Sequence, residues 1–563
     1  MKRAIDSALM RWGAFCGGSS GPVWRMCCSI NEVLLPTEST SKTVLISLNS
    51  LRVFQSGEVS VGVVIWTKSV HLSTPLQALS SPQRRSKKEE GFMRTVFEDC
   101  IKVIVPCGSL GAGVREEEIA YGLAAGAQVI ATDAGSTDSG AAYLALGKSK
   151  NNRGAVKRDL MILMKAQAQS GVPIIVGTAG QAGGDLNLNW TRDIALEIAE
   201  ELGVAPKIAL IYCEQGKDTI KNLNAEGRIK PLSPHTALDD ATVDACEHIV
   251  AALGVEPFLA ALEAGADIIL AGRSTDTAVI ACYPIWKGAP WGPSWHAGKT
   301  GECGVQCAVN PTLGSGILLS IDANGFEVEP LSQDNRCTPH SVSAHMLYEN
   351  SDPFRLVEPG GILNVAEARY TDLNGRAVRV EGSRWEEMPY TMKLEGAAAG
   401  LYQTIMLVGI QDPDVLKDID GFHDRLLEAL YTRTRQSIPA EELGEFHISL
   451  RMYGWNGVTG VTPPPGTLPP PELGMLFVAT AATQEMANTI AHACNPYFFH
   501  YPSVMGKELP SYGFAFTPAD IPRGQIFEFK LNHVVELEDP MELVRLEWID
   551  LSDISVARKE LAQ

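Results

Sequence analysis

No stretch of this 563-residue chain approaches the roughly 18 uninterrupted apolar residues that a membrane-spanning helix needs. An excess of basic residues is also lacking. The formal net charge is -19, which argues against a general nucleic-acid binder, because such proteins carry a basic face. Cysteine is thinly spread. Twelve in a chain of this length make no disulfide framework, and they fit a reducing compartment where a free thiol behaves as a small buried hydrophobe. The rest is ordinary globular material. Hydrophobic residues at 45% and charged residues at 20% suffice for a core, and the length implies more than one domain. The expectation is a cytoplasmic protein with no membrane and no nucleic acid as partner; self-association is compatible with all of this.

Charge is unevenly distributed. Residues 1–92 hold 11 Lys/Arg against 6 Asp/Glu, and the remainder holds 36 against 60. The start, MKRAIDSALMRWGAFCGG, contains Arg and is poor in acids, as a mitochondrial transit peptide is. The competing expectation is an atypical, disordered extension over 1–92. In that case the polar run Ser80–Glu90 (SSPQRRSKKEE) is a linker and Met93 the natural start. The first alternative keeps a mitochondrial location open.

From Lys102 the pattern turns regular. Lys102–Pro106, Gln128–Thr132, Val172–Val176, Lys207–Tyr212 and Asp267–Ala271 are apolar runs that alternate with helical segments such as Ala155–Gln169 and Thr191–Leu202. Alternation of this kind predicts an α/β domain over about 98–318, with a mostly parallel open sheet and helices on both faces. Near Gly316 the grammar changes. Strands such as Gly316–Asp322, Tyr402–Gly409, His447–Tyr453 and Met475–Thr480 follow with few helices between, which predicts a C-terminal α+β domain over 319–555. Thr462–Pro471 (TPPPGTLPPP) reads as a stiff surface spacer, since proline fixes φ and removes donors.

In an open parallel sheet, ligands bind beyond the carboxyl ends of the strands. Four such ends carry Gly with Ser, Thr or Asp: Gly108–Gly113, Asp133–Gly140, Gly177–Asp185 and Gly272–Thr277. Glycine lets backbone approach a ligand, and free amides at helix starts bind anionic oxygens. Two loops echo each other with Ser-Thr-Asp after a strand. The candidate binding residues are therefore Gly108, Gly111, Gly135, Ser136, Thr137, Gly272, Arg273, Ser274 and Thr275. For any single hydroxyl, capping the next helix is the plainer role. The Arg273 guanidinium suits bidentate carboxylate or phosphate binding, with a structural ion pair as its alternative.

Several motifs fail when counted. Glycines at 108, 111 and 113 miss the G-x-G-x-x-G spacing, although Asp133 ends its strand where a ribose-binding acid sits. Gly298-Lys299-Thr300 lacks the glycine of a phosphate loop, with Pro293 in its place. Cys303 and Cys307, with His296 nearby, are too sparse for zinc, so no metal is expected. Glu302 is a candidate general acid or base. His340 and His345 are five apart and share no helix face; His340 is taken as an acid/base candidate. Lys393-Leu394-Glu395-Gly396 reads as an exposed ion pair beside a turn, and the aromatics of Asn495–His500 as core packing.

The stretches CGSLGAG at 107, DAGSTDSG at 133, AGRSTDTA at 271, GECGVQC at 301, CTPHSVSAHMLYEN at 337, YTMKLEGA at 390 and CNPYFFHYP at 494 occur in this order. Together they resemble the acyclic terpene utilisation family of AtuA-like proteins, over roughly residues 100–550. The resemblance implies a place in bacterial breakdown of citronellol- and geraniol-type terpenes, where neighbouring enzymes handle branched acyl-CoA intermediates. It implies no catalytic residue and no cofactor. With a Gly-rich anion-binding edge, Arg273 and several acid/base candidates, the leading expectation beside that resemblance is an enzyme acting on a small branched or polycarboxylic acid, or its acyl-CoA thioester, by lyase or hydratase chemistry. In that scheme the Gly135 and Gly272 loops and Arg273 hold the carboxylate. Asp138 or Asp276 moves the proton, with Glu302 near, and His340 reaches in from the second domain. The alternatives are a nucleotide-dependent enzyme using Asp133 and the Gly108–Gly113 loop, and a non-catalytic subunit of a catabolic complex.

Overall fold

Ile101–Val105, Val129–Asp133, Ile174–Gly177, Lys207–Tyr212 and Ile268–Ala271 are strands rich in β-branched and small apolar residues, covered on both faces. They pair in parallel in the spatial order Ile101, Val129, Ile174, Ile268, Lys207. Side chains alternate between faces. Val103, Val105 and Ala131 enter one apolar core, while Ile104, Ile130 and Val176 enter the other. Helices cover both sides as expected. Arg153–Ser170 and Asp185–Leu202 bring Leu160, Leu163 and Ile198 to one core; Glu256–Glu263 and Asp276–Trp286 bring Phe258, Val279 and Ile280 to the other.

This computed structural model describes residues 100–502, 508–509 and 512–551, together with four short upstream strands. Arg25–Cys27 pairs with Arg52–Phe54, and Asn31–Glu32 with Ile46–Ser47, in a unit spanning residues 1–91. The leader-like start, the Ser80–Glu90 run and Met93 lie outside the described residues.

The sheet as a whole is mixed, which corrects the expectation of a mostly parallel one. Ile317–Ile321 adds antiparallel to Ile101–Val105, and Gly325–Pro330, Val378–Glu381 and Arg369–Asp372 extend that edge, also antiparallel. Arg545–Asp550 closes the other edge against Lys207–Tyr212. The reason is physical. Each outer parallel strand presents unpaired amides and carbonyls, and the chain covers them with later hairpins rather than leaving them open. The sequence pattern near Gly316 identifies these strands but says nothing about which sheet they join.

A second, seven-stranded sheet is built around the 20-residue strand Thr391–Ile410. Its first half pairs with Cys246–Ala251, its second half with Leu473–Ala481, and Ile521–Glu536 runs along its other edge. Ile419–Ser437 and Gln484–His500 pack on the outer half, where Phe422, Leu426, Ile490 and Phe498 form a separate core. The 462–471 segment has no regular structure and is mostly exposed. No helix among the described residues is long and apolar enough to cross a membrane.

Glu214 ties the second sheet to the first. Its Oε2 accepts from the N–H of Asp185 at the start of a helix, and Oε1 hydrogen-bonds at 2.6 Å with Nδ1 of His248, on the Cys246–Ala251 strand. That bond raises the His248 pKa above its ordinary value. The folded value is the higher one, so the pair stabilises the fold below about pH 6.5 and the contribution fades as pH rises through the folded value. Glu214→Gln is expected to bring the His248 pKa down, as read from its imidazole resonances in an NMR titration; an unmoved titration would disprove the coupling.

Candidate functional site

The loops after the parallel strands meet the 302–315 segment around a cavity of about 520 Å³. Its wall includes Gly108, Gly135, Ser136, Asp276 and Glu302. A second cavity of about 420 Å³ has Arg273, Thr275, Lys299, Glu358 and Lys393 in its wall, and shares Asp276, Glu302 and Glu349 with the first. Each lobe falls within the size of small-molecule sites, about 300–1,000 Å³. The four loops pack backbone on backbone to make this wall. A Cβ on Gly135 would lie 2.3 Å from Cα of Gln181, and one on Gly183, whose φ is +69°, would lie 2.0 Å from the Arg273 nitrogen.

The structure alters the expected cradle of free amides. The N–H groups of Gly111 and Gly113 both donate at 2.9 Å to Oδ2 of the buried Asp159, and Gly111 does not line the cavity. The Gly272 N–H donates to the Ile211 carbonyl at 2.8 Å. Buried amides need partners, and here protein groups supply them. The hydroxyls mostly take structural roles. Ser136 Oγ accepts from the Asp138 N–H, Thr275 caps the helix beginning at Asp276, and Ser274 Oγ donates to the Gly272 carbonyl. Thr137 Oγ1 donates to Glu395 at 3.1 Å.

Arg273 is engaged by protein acids. Its Nε donates to Glu395 Oε2 at 2.8 Å, and Nη1 donates to the Ser274 carbonyl at 2.6 Å and to Asp276 Oδ1 at 3.4 Å. Lys393 Nζ donates to Glu395 at 2.7 Å. Glu395 is buried within the long strand, not exposed beside a turn as its sequence context implied. Burial opposes its charge, but Arg273 and Lys393 prevail and bring its pKa down to about 2.

Asp133 behaves differently. It ends the second parallel strand, is buried, and takes the Gly135 N–H on Oδ2 at 3.2 Å, while Oδ1 has no hydrogen-bond partner. Burial and the neighbouring Asp276 carry its pKa well above the ordinary range. Gln181, at φ +90°, donates through Nε2 to the Ser136 carbonyl and Ser139 Oγ, and its Oε1 is buried without a partner. Ser109 Oγ is likewise buried and unpartnered. All three residues line the first cavity. Buried polar atoms are nearly always satisfied, and three of the exceptions stand around this one cavity.

The other candidates divide. Burial also raises the pKa of Asp276, against the pull of Arg273. Glu302, just after the Trp291–Gly301 helix, bonds closely to the buried Lys299; burial still pushes its carboxyl up to about 8. Asp138 is exposed, lines neither cavity, and shares a hydrogen bond with Glu349. His340 is exposed and lines neither cavity, whereas His345, at the other end of the same short helix, is buried. His296 is fully satisfied, by Ser383 and Tyr370, so it does not join Cys303 and Cys307.

A family model described as acyclic terpene utilisation family protein AtuA matches residues 147–527. The chain belongs to the AtuA family. Membership associates it with the utilisation of acyclic terpenes. The AtuA match contains the Gly177–Asp185 and Gly272–Thr277 loops, Glu302, His345 and Glu395, and it starts after the Asp133–Gly140 loop. No curated protein and no solved structure matches the chain. Motif reading of this AtuA chain gave no role to Gln181, Glu349 or Glu358, and took Lys299 only as part of a rejected phosphate loop. Of these only Gln181 carried a local signal, as the one long polar side chain in a glycine-rich strand-end loop.

Proposed function

We propose that the two-lobed cleft is the active site of an enzyme acting on a small branched or polycarboxylic acid, or its acyl-CoA thioester, by proton transfer of the lyase or hydratase type. One observation carries this reading: the buried carboxyl of Asp133, with Oδ1 unpartnered at the cavity and its pKa raised. A carboxyl whose burial favours the protonated form can donate a hydrogen bond to a carbonyl or carboxylate oxygen. Asp276, with its pKa also raised and its position set by Arg273, takes the proton from the carbon next to that carbonyl. The electron pair released moves onto the oxygen held by Asp133. As it returns to form the carbon–carbon double bond, the C–O bond at the next carbon breaks and the hydroxyl leaves as water with the proton from Asp276; addition runs in reverse. Gln181 and Ser109 supply further polar contacts, while Arg273, Lys299 and Lys393, each already paired with a protein acid, line the second lobe. Acyclic terpenes are branched hydrocarbons, so their oxidised fragments are branched acids of this kind.

The nucleotide alternative loses support, because the Gly111 and Gly113 amides that were to hold phosphate are taken by Asp159. The test uses the full chain in deuterated buffer with branched free acids and branched acyl-CoA thioesters, following loss of the α-proton resonance by NMR. Asp133→Asn and Asp276→Asn, checked for fold by circular dichroism, are each expected to slow exchange by about 10²- to 10⁴-fold. The reading fails if both exchange as fast as the unaltered chain, or if only NAD, NADP or ATP raises the melting temperature.

A further inference from the structure

We infer that Glu302, Cys303 and His345 form a binding site for one divalent transition-metal ion of the zinc type, beside the Glu302 wall that the two lobes share. A carboxylate oxygen of Glu302, Sγ of Cys303 and a ring nitrogen of His345 all lie within 4.8 Å of one another. The second observation is independent of that cluster. His345 is 7% exposed, and its Nε2 is buried with no hydrogen-bond partner. A buried imidazole nitrogen without a partner is costly unless something occupies its lone pair.

The fold brings the three together from two elements. The Trp291–Gly301 helix ends by delivering Glu302 and Cys303 in succession, and the Gly108 loop lies against this turn, so that a Cβ on Gly108 would sit 2.7 Å from the Cys303 carbonyl oxygen. The Pro339–His345 helix packs on the following turn, Gly304–Cys307, and presents His345 at its C-terminal end. Tyr348 stacks on the His345 ring at 5.7 Å between centroids and fixes its plane. Lys299 bonds to Glu302 Oε1, as outer-shell groups commonly bond to ligating carboxylates. Asp276 and Glu349 line the same cleft and add to its negative field.

One sulfur, one nitrogen and one oxygen donor select zinc and its borderline neighbours over magnesium or calcium, which take oxygen ligands. A tetrahedral zinc ion with bonds of about 2.0–2.3 Å sets its donors roughly 3.3–3.8 Å apart; Cys303 Sγ and Glu302 Oε1, at 3.9 Å, are already near that spacing, and no pair exceeds 4.8 Å. Three protein ligands leave a fourth position, and Glu302 and Cys303 both line the first cavity, where a ligand oxygen can take it. From sequence, Cys303, Cys307 and His296 are too sparse for zinc and no metal is expected; in the fold His296 is held by Ser383 and Tyr370 instead. This inference does not depend on the reaction proposed above, because metal binding is measured without substrate.

The test strips the purified full chain with a chelator and titrates it with Co²⁺, then displaces the Co²⁺ with Zn²⁺. The expected result is a near-ultraviolet thiolate-to-cobalt charge-transfer band that saturates at one ion per chain. Cys303→Ser loses that band. His345→Ala weakens binding by more than the roughly 10- to 100-fold lost when an outer-shell partner is removed. In case a variant fails to fold, alkylation of the unaltered chain gives a second readout: Zn²⁺ is expected to slow modification of the Cys303 peptide and leave the exposed Cys100 peptide unchanged. A charge-transfer band that persists in Cys303→Ser, unchanged affinity in His345→Ala, or equal alkylation of Cys303 with and without Zn²⁺ overturns the inference.

Discussion

Replacing Arg273 with methionine is expected to lower the unfolding free energy by about 3–5 kcal/mol at neutral pH, because it strands a buried carboxylate. Glu395 is nearly fully buried, and Arg273 is the strongest of the charges that keep it ionised. Methionine preserves much of the packing volume, so the loss reports the missing charge. Lys393 and Thr137 remain as partners, which keeps the effect short of complete unfolding. The sign of the pH dependence follows from the depressed pKa. A carboxylate with a folded value of about 2 stabilises the fold above its unfolded value and loses that contribution as pH falls toward 2. Without Arg273 the Glu395 pKa rises, so the gap between variant and parent should narrow in acid. Urea unfolding at neutral pH and near pH 3, which lies below the ordinary carboxylate range, reads both effects. The double variant Arg273→Met with Glu395→Gln should recover most of the loss, since removing both charges leaves nothing unpaired. A loss below about 1 kcal/mol for Arg273→Met, the range of an exposed ion pair, would show that Glu395 is not held as described.

Glu358 works in the opposite sense, and its neutralisation is expected to stabilise the protein in alkali. This carboxyl lies in the wall of the second lobe, beside the Thr275 and Thr277 hydroxyls, and burial pushes its pKa up to about 7. A raised folded value means the folded state holds the proton more tightly than the unfolded one. The contribution is therefore fully present below the ordinary glutamate value and lost as pH rises through about 7. Across that interval the parent loses about 3 kcal/mol that Glu358→Gln, having no proton to release, keeps. The variant should be close to the parent near pH 4 and more stable by up to about 3 kcal/mol near pH 9, less whatever the threonine contacts contribute. Denaturant midpoints across the pH range decide it. A constant difference between the two proteins from acid to alkali would mean that Glu358 titrates normally. Carrying a buried acid at such a cost to alkaline stability fits a ligand-binding wall better than a structural one.

The parallel strands, their order along the chain and the strand-end loops were legible because they depend on local periodicity. An apolar β-branched run followed by Gly, Ser, Thr or Asp and then a helical stretch identifies itself within about 30 residues. The later antiparallel strands of the first sheet were visible as strands but not as members of that sheet, because edge pairing is a long-range choice. The first half of Thr391–Ile410 escaped notice for a related reason: its run of small residues, EGAAAG at 395, carries neither alternation nor β-branching.

The loops identified from sequence do form the cleft, yet the roles within it were redistributed by contacts that no spacing encodes. Asp159, on a helix far along the chain, takes the amides of Gly111 and Gly113, and Glu395 takes Arg273. Among the buried polar atoms left without partners, Asp133 Oδ1, Gln181 Oε1 and Ser109 Oγ belong to residues of the first cavity wall, and His345 Nε2 to the cluster with Glu302 and Cys303. Sequence by itself thus determined the α/β grammar, the strand-end loops that line the cleft and the family. Only the tertiary structure decided which polar atoms are spent on the fold and which remain for a ligand, because hydrogen-bond satisfaction is settled by neighbours that meet across 100 residues or more, as Thr137 and Glu395 do.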